Sequence, residues 1–411
     1  MINVVKKLLL AFLPLIGFAQ KGPQPGTYRA VISVQGQQLP FGLDIQAGAI
    51  QPGANARTYQ VFVLNGKERL PMDASTLDGD SLRIPMSLFD AELIGKVSGN
   101  ELIGFYQRQR GKTAVRVPFR AVKGKPYRFT PIAADVKARV GGKYATTFRD
   151  RDGQESKAVG VFEQDLNRVT GTFLTTTGDY RYLDGNIIGD SLFLSAYDGS
   201  HLFLLKAKVG EDGFSGDFFS GLGSRTTVVA RRDEKAALPD ERSLTFLKPN
   251  AGRFTFRFPD AQTGKPVSLD DPQFKGKVTV VQIMGSWCPN CMDETNFLVP
   301  WYRKNARRGV EIVGLAYERS PEFAVSAPKV QRMNQRFGIT YPVLLAGVND
   351  QTASATLPML NHIMGYPTTI FVDKKGQVRE IHTGFSGPGT GAYYDKFVDD
   401  FNRLIDKLLA E

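Results

Sequence analysis

The sequence predicts a duplicated, all-β unit followed by an α/β unit, and three observations carry that expectation. Across residues 20–235, short strand patterns are separated by turn signals every ~8–14 residues, with no long helical period. Two strings in that half recur at nearly constant spacing, the mark of an internal repeat. From about residue 253 the pattern changes to strands alternating with helices, opened by an apolar strand that runs into Cys-x-x-Cys.

At 411 residues the chain exceeds one ordinary core. Residues 1–19 read as a secretory signal. Lys6 and Lys7 precede the apolar run 8–19, which is too short to span a bilayer, and Gly17-Phe18-Ala19 is a small-x-small cleavage site. Export to the periplasm is expected; an uncleaved N-terminal membrane anchor is the alternative. Loss of the two lysines would lower the net charge from +11 to +9. The basic excess is spread along the chain without a block of like charges, so no nucleic-acid partner is expected.

The repeat is read from matched strings. Gly26-Thr-Tyr28 corresponds to Gly142-Lys-Tyr144, and residues 77–84 (Leu-Asp-Gly-Asp-Ser-Leu-Arg-Ile) correspond to 187–194 (Ile-Ile-Gly-Asp-Ser-Leu-Phe-Leu). The offset changes from 116 to 110 residues, and the Gly/Pro/Asn-rich loop 47–56 of the first copy absorbs the difference. Each copy offers about eight strands. In the second they are expected near 143–150, 156–164, 168–176, 179–187, 190–196, 201–208, 213–219 and 225–232. An antiparallel meander of that size tends to close into a small barrel, since closure removes its edges. A two-sheet sandwich per copy is the alternative. Pro118, inside the alternating stretch 115–121, implies an edge, bulge or rim. Residues 149–152 (Arg-Asp-Arg-Asp) read as a turn, and Phe203, Phe214, Phe218 and Phe219 as core. The expected division is a first repeat at 20–125, a second at 126–235, a linker at 236–252 and an α/β unit at 253–411.

In that last unit a hairpin (254–258, 267–269) precedes the central strand 278–284. A helix from the cysteine motif to about 307 contains Pro300, a kink signal. Further elements are expected as a strand at 310–317, a helix at 327–337, a strand at 341–345, and a helix at 352–363 that Pro358 would interrupt. A hairpin (368–373, 378–383) and a last helix follow, the helix placing Phe397, Val398, Phe401, Leu404, Ile405 and Leu408 on one face.

Pro289 suits the first turn of a helix, which sets Cys288 at the N-terminus and Cys291 one turn inside. The positive end of the helix favours a thiolate, the attacking species in disulfide exchange. A zinc site would need two further ligands. The chain has two cysteines, and His201, His362 and His382 lack zinc-type spacing, so no metal and no cofactor are expected. The Gly-rich stretch 384–391 lacks the Lys-Ser/Thr ending of a phosphate loop, and His382 reads as structural.

Strand, Trp287-Cys288-Pro289-Asn290-Cys291, helix, then Tyr366-Pro367-Thr-Thr before a hairpin is the order of the thioredoxin fold. With the extra hairpin and the export signal, residues 250–411 resemble the TlpA/ResA-like periplasmic thiol–disulfide oxidoreductases. The resemblance implies a disulfide reductase with Cys288 as exposed nucleophile, Cys291 as buried resolving thiol and a redox-active Cys288–Cys291 disulfide. It implies a cis-Pro367 facing the sulfurs, and Trp287, Pro289 and Tyr366 supporting the substrate side. Glu294, three residues after Cys291 and on its helical face, matches a glutamate that tunes the thiols. Gln282 stands where cytoplasmic thioredoxins carry an aspartate and cannot act as a base. Asn296 replaces the kink proline of many relatives. A protein thiol or disulfide is the implied substrate, and a membrane-embedded thiol reductase the implied electron donor. A peroxiredoxin-like peroxidase is one alternative, though Val281 and Gly285 replace the Pro and Thr/Ser its motif requires. A ligand- or partner-binding protein with a secondary redox unit is the other.

Overall fold

The structure is a computed structural model that describes residues 22–48, 57–111 and 113–411. The expected signal segment and residues 49–56 of the length-absorbing loop lie outside the described residues.

Each repeat forms a closed barrel. In the first, strand Gly26–Val34 pairs with the next strand, Gln37–Ala47, and with the last, Thr113–Lys123. Gln37–Ala47 also pairs with Thr58–Asn65, which completes an eight-strand ring. Residues alternate in and out, as Tyr28, Ala30, Ile32 and Val34 illustrate. The second repeat closes the same way, with Gly142–Arg149 pairing both Glu155–Asp165 and Ser224–Arg232. Closure leaves no long free edge, and the sandwich alternative does not form. Both interiors are filled by side chains; Tyr144, Phe148, Phe162, Phe173 and Phe218 pack edge to face in the second. Pro118 pairs on one side only, because the contact with the first strand begins at Phe119. The turn after Arg149 is held by Asp150, whose Oδ1 accepts from the N–H of Asp152 and of Gln154.

Each barrel carries one strand outside its ring. Glu68–Pro71 folds back on Thr58–Asn65 in the first, and Gly178–Asp179 folds back on Arg168–Thr175 in the second. The single strand expected at 179–187 is therefore two, split at residues 180–182, where Arg181 takes a left-handed φ of 59°. The two barrels share a core. Leu202–Leu205 is buried on both faces, with Phe203 and Leu205 inside the second barrel while Leu202 and Leu204 join the core of the first.

The α/β unit is a five-stranded sheet in the order Val343–Val348, Val310–Glu318, Val278–Met284, Thr368–Val372, Val378–Thr383. The first three run parallel to one another; Thr368–Val372 is antiparallel to the centre, and Val378–Thr383, antiparallel to that strand, again runs parallel to the centre. Helices α1 (Pro289–Asn305), α2 (Phe323–Phe337) and α3 (Ala392–Ala410) cover one face; Phe254, Phe256, Phe274, Leu357 and Leu360 cover the other. Helix α1 runs through Pro300, whose ring faces solvent. Three expectations need correction. The first extra strand is Arg257–Pro259, not 254–258. Helix α2 begins four residues earlier than expected. No helix spans 352–363: only the 3-10 turn Ala353–Thr356 forms, because Pro358 can offer no N–H to continue it. Segment 236–252 is packed, not free, with Ala236 and Leu238 against Val159 and Leu174, and Leu247 bridging to Leu360.

Candidate active site

The central strand is buried along its whole length and ends at Met284. The turn that follows is held by a buried carboxylate, Glu318, which accepts from the Ser286 N–H and hydroxyl, each at 2.8 Å. Burial pushes the Glu318 carboxyl up, and the two Ser286 bonds pull it back. The Trp287 indole N–H donates to the Tyr317 carbonyl at 2.8 Å. These bonds set Cys288 as the N-cap of α1, in extended backbone just ahead of Pro289.

Both cysteines are free thiols. Cys288 is buried rather than exposed as expected, with 7% of its surface open because the Trp287 and Tyr366 rings and the cis-proline segment pack beside it, and Cys291 has none open. The Cys291 N–H donates to the Cys288 sulfur at 3.4 Å, an arrangement that favours negative charge on Sγ. The Cys288 thiol reaches the Tyr366 carbonyl at 3.6 Å, across a Tyr366–Pro367 peptide that is cis. The Trp287 and Tyr366 rings meet edge to face beside it. Burial pushes the Cys291 thiol well up, with the neighbouring Cys288 sulfur and the Glu294 charge adding to it.

Glu294 is wholly buried beside Cys291. Its two oxygens accept from Thr369 Oγ1 at 2.5 Å and from Gln282 Nε2 at 2.8 Å. Burial raises its carboxyl to about 7, against the pull of those two bonds. A carboxyl that titrates there, and whose negative charge holds the Cys291 thiol protonated, is suited to take up a proton near neutral pH. Gln282 thus orients Glu294 rather than replacing an acid. Asn296 is exposed, and Val281 and Gly285, the two peroxidase positions, carry a buried apolar side chain and a glycine under the Trp287 ring.

Some functional neighbours escaped sequence reasoning. Thr369 and Glu318 come from strands far away in sequence, and only their burial beside the motif marks them. His382 is half-buried, 3.8 Å from Glu241 and packed on Phe397. The glycine-rich stretch lies against the second barrel: the Gly387 N–H donates to Asp179 at 2.7 Å, and the Tyr182 hydroxyl to the Pro388 carbonyl at 2.8 Å.

A family model described as Redoxin matches residues 249–396. The thiol-disulfide oxidoreductase ResA of Halalkalibacterium halodurans is 27% identical over 139 residues, which is 34% of this chain and 68% of that protein. The thiol:disulfide interchange protein DsbE of Pseudomonas aeruginosa is 31% identical over 139 residues, 31% of this chain and 69% of that protein. This chain belongs to the ResA/DsbE-like thiol-disulfide oxidoreductases. It spans 57% of the length of the Geobacillus kaustophilus ResA that it also matches. A solved thioredoxin-family thiol:disulfide interchange protein from Chlorobium tepidum is 25% identical, covering 40% of this chain and 97% of its own, with a TM-score of 0.30.

In this oxidoreductase both barrels lie outside the matched residues and both touch the redox unit. The first barrel meets α2, where Lys329 pairs with Asp90 at 3.0 Å, Arg332 donates to the Ser87 carbonyl at 3.1 Å and Arg336 pairs with Asp73. The second meets α1. Buried Arg181 pairs there with Asp293, two residues after Cys291, and also with Glu68 of the first barrel. Asp198 lies 3.5 Å from the same guanidinium and 2.9 Å from His201. One guanidinium thus serves carboxylates from all three units. Burial, with the charges of Asp179, Glu68 and Asp198, outweighs Arg181 and pushes Asp293 up to about 8.

Proposed function

We propose that this oxidoreductase reduces protein disulfides through Cys288 and Cys291. The observation that carries the reading is the Cys288 sulfur at the tip of α1, accepting from the Cys291 N–H, with buried Glu294 behind. The Cys288 thiolate forms a bond to one substrate sulfur as the substrate S–S bond breaks, and the other sulfur leaves as a thiolate that takes up a proton. Cys291 gives its proton to Glu294 and attacks the Cys288 sulfur. The substrate departs reduced by two electrons, and the enzyme is left with a Cys288–Cys291 disulfide. Tyr366, Pro367, Trp287 and Pro289 frame the substrate side in this reading.

The dithiol is restored by two electrons and two protons from a membrane-embedded thiol reductase, and the protein works in the periplasm after export on residues 1–19. Residues 20–125 and 126–235 are then accessory modules, 236–252 a strap and 253–411 the catalytic unit. Reduction of insulin in the presence of dithiothreitol tests the mechanism: Cys288→Ser is expected to abolish it, and undiminished activity overturns it. The potential of the Cys288/Cys291 couple tests the direction, with about −270 mV expected for a reductant and about −120 mV for an oxidant.

A further inference from the structure

The second barrel does more than hold the redox unit in place. Its extra hairpin turns at residues 175–178, and that tip sits on the flank of the dithiol. A Cβ placed on Gly178 would fall 2.0 Å from Asn290 Nδ2, and Asn290 stands between the two cysteines. A Cβ on Gly365, next to Tyr366, would fall 2.5 Å from Thr177 Cγ2. A Cβ on Gly384 would fall 2.9 Å from the Thr176 carbonyl oxygen. The tip therefore touches the motif, the segment before cis-Pro367 and the loop after the last strand at once. Beneath it, Asn290 Oδ1 is buried with no hydrogen-bond partner. Arg181 anchors the base of the hairpin through Asp293 and Glu68. On the α2 side, Leu88 and Phe89 of the first barrel pack against the redox core beside Ser286 and Trp287.

We propose that the Thr176, Thr177 and Gly178 tip determines substrate range: it occupies the flank where a folded protein surface would have to rest, so the dithiol takes disulfides carried on thin, extended segments. Access remains past the half-buried Trp287 and Tyr366 rings. A disulfide approaching there needs little room on either side, whereas one on a globular surface meets the barrels first. This deepens the proposed function and rests on Cys288 being the attacking thiol.

The test uses the reduced full chain and two probes of equal chemistry. One is a linear peptide and the other a small folded domain, each with a single cysteine joined to glutathione. The wild type is expected to reduce the peptide probe at least about tenfold faster. Gly178→Ala adds backbone strain at φ +141° and sets a Cβ against Asn290, which displaces the tip, so it is expected to cut that preference about tenfold. Equal wild-type rates, or an unchanged preference in the variant, overturn the inference. Alkylation keeps the test decisive if the variant folds poorly. In the wild type a maleimide bearing a large polyethylene glycol should label Cys288 at least about tenfold more slowly, relative to a small maleimide, than it labels an unstructured peptide thiol. Equal relative labelling overturns the cap. Reduction of neither probe, with that labelling difference intact, instead overturns the proposed function on which the cap depends.

Discussion

The two barrels carry the same extra hairpin at the same place in the ring, 110 residues apart, and aim it at different neighbours. The first hairpin turns after Asn65, which exchanges hydrogen bonds of 2.8 and 3.2 Å with the Tyr197 backbone of the second barrel. Its Gly66 lies under Tyr182, and its Glu68 pairs with Arg181. The second hairpin turns after Thr175 and lies on Asn290, Gly365 and Gly384 of the redox unit. Each repeat thus uses one protrusion to cover the module that follows it in the chain. What differs is the surface beneath: a barrel wall in one case and a dithiol in the other.

Arg181 is where the two hairpins meet, so its loss should disturb the comparison most. Arg181→Gln leaves Glu68, Asp198 and Asp293 buried without their shared cation, and is expected to cost about 3–5 kcal/mol in denaturant unfolding. A loss below about 1 kcal/mol would mean the cluster is not what joins the units.

Asp293 sharpens the contrast through pH. Its carboxyl is raised from 3.8 to about 8, so the folded chain holds a proton that the unfolded chain has released. Stability from this group is present below about pH 4 and is lost as pH rises towards about 8. Denaturation midpoints of the wild type should therefore fall across that window, and Asp293→Asn should flatten the fall. Parallel curves for the two proteins would contradict this assignment.

The glycines of the two tips separate strain from function. Gly66 has φ +56°, and a Cβ there meets Tyr182 no closer than 3.5 Å. Gly66→Ala should cost about 1–2 kcal/mol of stability through its backbone, with exchange rates unchanged. Gly178, with φ +141°, carries backbone strain of its own, but Gly178→Ala should in addition alter exchange, because its Cβ would strike Asn290. Equal kinetics for the two variants would erase the difference between the hairpins. The smallest effect belongs to Lys67 on the first tip, whose pair with Glu163 at 3.8 Å is exposed on both sides. Lys67→Ala should shift unfolding by less than about 0.5 kcal/mol.

Much of this molecule was legible in its sequence, for physical reasons. Alternation and turn residues are local signals, so the strands, the repeat and eight strands per ring could be read directly. The cysteine spacing fixed one helical turn, and the offset of Glu294 put it on the Cys291 face. Three other features depended on contacts between distant segments. Thr369 meets Glu294 across 75 residues, and Arg181 meets Asp293 across 112. Neither leaves a periodic trace. The burial of both faces of Leu202–Leu205 did leave one, a continuous apolar run, but the sequence does not say that a second barrel covers it. The expected helix at 352–363 failed at a residue already visible, Pro358, whose veto outweighed the apolar spacing around it.

Trapping the mixed disulfide tests the central claim most directly. The full chain with Cys291→Ser, mixed with the glutathionylated peptide, should accumulate a covalent adduct on Cys288, seen by mass spectrometry under non-reducing conditions. No adduct on Cys288, or equal labelling of Cys291 in a Cys288→Ser chain, would contradict the account.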